Sequence, residues 1–205
     1  MTKNLIKSIS YDNDEIINNI LNLYCKDGID LDCTYSKGVF YKSKKVKEPK
    51  FKSDILPLYD DVIEADCRNL PFENNSLSCI MFDPPFLATK GSSLKKDDNN
   101  NFINKRFSVF PTEKELFNFY DDSLNEFFRI LRRDGVLIFK CQDKVSSGKQ
   151  YLSHIKIINS AERLGFIAED LFILLAKSRI VAEWQIKNQK HARKFHSYFV
   201  VFIKK

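Results

Sequence analysis

The segment SLSCIMFDPPFLAT, residues 76–89, sets an apolar run, Cys79 to Phe82, directly before an acid, two prolines and an aromatic ring. A short apolar run bounded in this way reads as a buried strand. The prolines end it: each fixes φ and lacks an N–H, and each holds the residue before it extended. Asp83 with its carboxylate and Pro84 with its carbonyl then form a rigid pair of acceptors, suited to a group with two N–H donors such as an exocyclic amino group. Phe86 offers a flat face on which a base can stack, worth about 1–3 kcal/mol.

Outward from this strand the chain alternates helix and strand. Asp12 and Glu15 open a helix whose apolar face is Ile17, Ile20, Leu21 and Tyr24, and Gly28 stops it before the strand IDLDC. FKSDI and VIEAD read as the next strands, and the opening segment is the fourth. Thr112 and Glu115 make a capping box for a second helix with the stripe Leu116, Tyr120, Leu124, Phe127, Phe128 and Leu131, expected to end at Gly135. The strand VLIFKC follows, then a helix from Tyr151 to Leu164 stopped by Gly165, then the strands EDLFILLA and HSYFVVFIK. This order predicts one α/β domain over residues 1–205: a doubly wound, mostly parallel sheet of seven strands with an antiparallel member at its edge. Residues 87–112 are expected to be a flexible loop facing the substrate.

In such sheets ligands bind outside the carboxyl ends of the strands. Acids stand there in succession, Asp32, Asp54, Asp66 and Asp83, and the gap of roughly twenty residues from Asp32 to Asp54 matches the spacing that puts a carboxylate on a ribose hydroxyl. The acceptor pair at Asp83 and Pro84 implies a specific chemistry. An amino nitrogen of adenine or cytosine has its lone pair delocalised into the ring; accepting both hydrogens favours a pyramidal nitrogen that can attack a methyl sulfonium. That is preorganised electrostatics with in-line positioning and requires no strong base.

The Asp-Pro-Pro-Phe tetrad resembles the catalytic motif of the nucleic-acid amino-methyltransferases, and the sequence is similar in particular to small stand-alone bacterial and phage DNA amino-methyltransferases. LDCTYSKG looks like that family's cofactor loop, with Asp32 at the acid, Thr34 at the aromatic position and Gly38 at the final glycine; Ser36 stands where the common pattern has its first glycine. EADCRNLPFENNSLSCIMFDPPF is similar to the family's third-strand acid, its Leu-Pro-Phe link and its tetrad. The resemblance implies a Rossmann-like class I methyltransferase fold and S-adenosylmethionine as cofactor. It implies Asp83, Pro84, Pro85 and Phe86 as the catalytic residues, Asp32, Cys33, Thr34 and Gly38 in the cofactor loop, Asp54 on the ribose hydroxyls, and Asp66 with Cys67 at the adenine edge.

Composition bears on the partner. The chain is 43% hydrophobic and 29% charged, with 18 Phe and 8 Tyr, an ordinary globular balance rich in aromatic rings. Its net charge is +6, and its lysines and arginines cluster in residues 41–52, 90–106 and 187–196, three basic stretches able to line a groove for a polyanion. Lys95, Lys96, Lys105 and Arg106 in the loop, Lys140 and Gln142 after the fifth strand, and Arg193, Lys194 and His196 near the C-terminus are the candidate nucleic-acid contacts. After the tetrad little chain is left for a recognition domain, so sequence choice falls to the loop, the C-terminal basic segment, a second subunit in a homodimer, or a partner protein. DNA is the expected substrate, adenine N6 before cytosine N4. RNA is the alternative, and a nucleic-acid-binding subunit without turnover is a further one.

The five cysteines show no Cys-x-x-Cys pair and no histidine at zinc spacing, and read as reduced core residues. His154 reads as a packing or surface residue, and His191 and His196 as phosphate or solvent contacts, so no metal site is expected. No apolar run approaches the roughly 18 residues of a membrane span, and MTKNLIKSIS lacks the apolar core of a signal peptide. A reducing cytoplasm is the expected compartment.

Overall fold

The computed structural model describes residues 5–88, 110–178, 186–187 and 189–205. Its main sheet contains β1 (Ile9–Ser10), β2 (Leu31–Asp32), β3 (Phe51–Asp54), β4 (Ile63–Glu64), β5 (Leu77–Phe82), β6 (Leu131–Cys141), β9 (Phe166–Leu175) and β10 (His196–Lys204). The helices are α1 (Asn13–Tyr24), α2 (Glu113–Ile130) and α3 (Ser153–Leu164). A separate hairpin, β7 (Lys144–Ser146) and β8 (Lys149–Tyr151), turns through Ser147 and Gly148 at φ 49° and 75°, the double left-handed turn that matches strand twist.

Strand order is β1-β9-β10-β6-β5-β2-β3-β4. From β2 the chain runs outward through β3 and β4, then returns to β5 on the other side of β2. This reversal makes a switch point between β2 and β5, whose Leu31 and Asp32 pair with Ile80 and Met81. The loops after Asp32 and Phe82 therefore leave the same edge of the sheet side by side.

Two expectations need correction. The antiparallel strand is not at the edge: β10 pairs antiparallel with both β6 and β9, and the edge beyond β9 is taken by β1, an eighth strand with no clear sequence signal. Phe199, Val200, Val201 and Phe202 are all buried, so β10 needs cover on both faces, which an interior position gives. The second helix ends at Ile130, not at Gly135. Lys204 Nζ donates to the carbonyls of Phe128 and Leu131 at 2.6 and 2.7 Å and to Asn75 Oδ1 at 2.7 Å. A cation thus satisfies the helix's C-terminal carbonyls.

Of the other helix signals, Asp12, the Thr112–Glu115 box and Gly165 are met as read, whereas α1 ends at Tyr24 with Cys25 as its cap, ahead of Gly28, and Glu15 accepts from the Ser10 hydroxyl. Asp12 accepts from Asp14 N–H, Thr112 and Glu115 form the reciprocal box, and Gly165 takes the left-handed conformation (φ 104°) after α3. Strand alternation then sorts the core into two layers. Ile80, Phe82, Leu137 and Phe139 pack with Leu116, Leu124 and Phe127 of α2 and Ile157 of α3. Cys79, Met81, Val136 and Ile138 face Ile16, Ile17 and Ile20 of α1 on the other side. All five cysteines are buried thiols, and no helix among the described residues is long and apolar enough to cross a membrane.

Candidate active site

The loop after β2 is organised by two carboxylates. Asp32, 1% exposed, accepts from Thr34 N–H at 3.0 Å and from the Tyr41 hydroxyl at 2.9 Å. Burial pushes its carboxyl up to about 7 despite those donors, with the charge of Asp83 adding to the rise. Asp54, at the end of β3, accepts from Ser36 N–H at 2.8 Å on one oxygen and from Leu56 N–H at 2.9 Å on the other. Ser36 keeps a left-handed backbone (φ 54°), the conformation for which glycine is the ordinary choice. Gly38 is also left-handed (φ 60°), and a Cβ there would lie 2.6 Å from the Tyr35 hydroxyl. Tyr35 in turn stacks on Tyr41 with centroids 5.7 Å apart.

The tetrad follows β5 at the switch point. Asp83 donates its backbone N–H to the Thr34 hydroxyl at 2.8 Å, and its side chain is 25% exposed. The two carbonyls that follow are held from behind. Tyr120 of α2 donates to Pro85 O at 2.5 Å, and Lys144 of β7 donates to Phe86 O at 2.5 Å while pairing with Glu113 at 2.8 Å. Among the described residues no donor engages the carbonyl of Pro84. The Asp83 carboxylate and the Pro84 carbonyl thus lie on a segment whose neighbouring carbonyls are fixed elsewhere.

Lys140, at the end of β6, brings its ammonium to 3.0 Å from Asp83 Oδ2. Burial raises the Asp83 carboxyl above its ordinary value, and Lys140 opposes that rise. Beside this pair a cavity of about 380 Å³ is lined by Phe86, Lys140, Gln142, His196, Asn13 and Tyr11 among others. Its size falls within the range of small-molecule sites. Gln142 donates to His196 O at 2.7 Å, joining the ends of β6 and β10.

Of the residues proposed from sequence, the structure gathers Asp32, Cys33, Thr34, Asp54 and Asp83 to Phe86 at one sheet edge, with Lys140, Gln142 and His196 beside them. Cys33 is buried, its thiol bonded to Met81 O at 3.4 Å. Asp66 follows β4 and is gripped by Arg68, with Nη2 at 2.6 Å. The thiol of Cys67 turns into the core against Ser123. Arg193 and Lys194 precede β10 and do not line the cavity. Lys95, Lys96, Lys105 and Arg106 lie outside the described residues. His154 is a packing residue, bonded to Asp143 at 2.8 Å and set against Tyr198. Sequence reading missed Tyr41, Glu113 and Lys144, and it saw Tyr120 only as part of an apolar stripe; a polar tip on such a stripe, needing a buried partner, was the available signal.

No family model and no curated protein matches the sequence. Among solved structures, the chain is similar to a candidate sarcosine dimethylglycine methyltransferase from Galdieria sulphuraria, at 13% identity over 94% of this chain and 85% of that one, TM-score 0.56. It is also similar to a candidate methyltransferase solved with a methyltransferase activator from Haloferax volcanii, at 14% identity over 93% of this chain and 92% of that one, TM-score 0.51. A candidate DNA modification methylase from Thermus thermophilus overlaps more loosely, at 16% identity over 68% of this chain and 52% of that one, TM-score 0.47; this chain spans about half of its length. The first two similarities and the strand order define the class by fold: a Rossmann-like, class I methyltransferase architecture.

Proposed function

We propose that this chain transfers a methyl group from S-adenosylmethionine to the exocyclic amino group of a base in DNA, with adenine N6 as the preferred target. The observation that carries the reading is the acceptor pair of Asp83 and Pro84 at the switch point of a methyltransferase fold, with the carbonyls of Pro85 and Phe86 tied away from it.

The residues present fit the cofactor. Each oxygen of Asp54 accepts one backbone N–H and keeps a further lone pair, which is what two adjacent ribose hydroxyls require. Asp32, Cys33, Thr34 and Gly38 would shape the loop beneath the methionine part, and the backbone at Asp66 and Cys67 would meet the adenine edge. When bound, the cofactor supplies an electrophilic methyl group.

The chain's own residues do the rest. Asp83 and Pro84 O accept the two amino hydrogens and turn the nitrogen lone pair out of the ring, and Phe86 holds the base by stacking. The methylated nitrogen must then lose a proton. Asp83, whose proton affinity burial has raised, is the nearest acceptor. In duplex DNA the base would first have to leave the stack, at a cost of a few kcal/mol.

Tritiated methyl transfer to duplex DNA and to total RNA, by the wild type and by Asp83→Ala, tests the reading. Label in DNA that the variant does not transfer is the expected result. Label confined to RNA would move the substrate to the alternative, and full activity of Asp83→Ala would remove the tetrad from catalysis.

A further inference from the structure

Lys140 holds its ammonium in an enclosure of aromatic rings: Phe40, Phe86 and Phe199 have their centroids 5.0, 5.6 and 5.7 Å from Nζ. Its side chain is 14% exposed. An ammonium carries three N–H donors. Among the described residues one acceptor meets them, Asp83 Oδ2 at 3.0 Å. Ring faces attract the charge but do not replace hydrogen-bond acceptors. Lys140 and Phe86 line the cavity together.

The acceptor pair of the tetrad specifies the amino group but says nothing of the atom next to it. In adenine and in cytosine, the carbon that bears the amino group also bears a ring nitrogen with an in-plane lone pair. Both bases therefore present the same edge, N=C–NH2, with an acceptor beside a donor. We infer that Lys140 is the residue that recognises this ring nitrogen, N1 of adenine or N3 of cytosine, while Asp83 and Pro84 hold the amine. Lys140 and Asp83 then form a donor–acceptor couple complementary to the amidine edge. The ion pair seen between them keeps the ammonium within reach of the base that would enter.

The inference rests on the proposed methyl transfer to a base amine, and the test separates the two. Oligonucleotides with randomised flanks, made as DNA and as RNA, carry one target: adenine, 1-deazaadenine, cytosine or 3-deazacytosine. Replacing the ring nitrogen by C–H makes the amine more electron-rich, so chemistry alone would not slow the analogue. The wild type is expected to lose on the order of 10- to 100-fold in kcat/KM on the deaza base, the loss of one charge-assisted hydrogen bond. Lys140→Met is expected to lose a similar factor on the natural base and no longer to distinguish it from its analogue.

Equal wild-type rates on natural and deaza bases would overturn the role of Lys140 while leaving base methylation standing, as would discrimination that persists in Lys140→Met. Transfer to none of the oligonucleotides would overturn both. Should Lys140→Met fail to fold, the wild-type comparison decides alone.

Discussion

Thr34 and Asp83 join the two loops of the site through one hydroxyl. Thr34 Oγ1 accepts the backbone N–H of Asp83 at 2.8 Å and lies 3.4 Å from Asp32 Oδ1. The first residue of the tetrad is thereby registered against the loop that follows β2, although the two are 49 positions apart in sequence.

Removing that hydroxyl should separate the two loops. Thr34→Val keeps the branched shape and leaves the Asp83 N–H without its acceptor, at a cost of about 1–3 kcal/mol. The expected outcome is a lower melting temperature and a fall in kcat larger than any change in cofactor affinity. Thr34→Ser should restore both. A Val variant with unchanged turnover would show that the link does not position the tetrad.

Asp54 should act in the other half of the site. Asp54→Ala removes the acceptor for Ser36 N–H and Leu56 N–H together with the proposed ribose contact. Cofactor binding should weaken by roughly 1.5–3 kcal/mol, the worth of a hydrogen bond to a charged group. Calorimetric titration reads this directly, and unchanged affinity would refute the ribose assignment.

The raised carboxyl of Asp32 makes stability depend on pH. Unfolded, an aspartate titrates near 3.9; folded, Asp32 is pushed up to about 7 by burial, against the Thr34 N–H and Tyr41 hydroxyl and with the charge of Asp83. Between those values the folded chain holds a proton that the unfolded chain has released. The stability this confers is fully present below the unfolded value and is lost as pH rises through about 7. Asp83 is raised in the same direction and is opposed by Lys140, so Asp32→Asn should remove only part of the slope. Melting temperatures at about pH 5 and about pH 8 check the sign: the wild type should fall more than Asp32→Asn between them.

What was legible in the sequence was what is decided locally. The caps at Asp12, Thr112 and Gly165 involve neighbours within one turn and are found where the residues place them. Of the strand-end acids that follow from the alternation of elements, Asp32 and Asp54 close β2 and β3, Asp83 follows β5, and Asp66 lies two residues past the end of β4. What was missed depends on distant partners. The end of α2 is set by Lys204, whose ammonium meets Leu131 O across 73 positions, so Gly135 was a reasonable but wrong stop. β10 is interior because β6 and β9 both pair with it; its apolar run asks for cover on both faces but does not name the strands on either side. Lys144 takes on its role only when the fold brings its ammonium to Phe86 O, 58 positions back in the chain.

Phe86 and its clasp should separate stacking from positioning. Phe86→Ala removes the ring proposed to carry the base and should lose the stacking contribution of about 1–3 kcal/mol, seen as a raised KM for nucleic acid, whereas Tyr or Trp should retain much of the activity. Lys144 does not touch the base: it is 8% exposed, donates to Phe86 O at 2.5 Å and pairs with Glu113 at 2.8 Å. Lys144→Met leaves the ring in place but frees the Phe86 carbonyl and strands the Glu113 carboxylate, whose oxygens are buried, so both kcat and melting temperature should fall. The double variant Lys144→Met with Glu113→Gln removes the stranded charge. It should recover melting temperature but not kcat if the bond to Phe86 O positions the tetrad, and recovery of both would make the clasp a stabilising contact with no part in placing the acceptors.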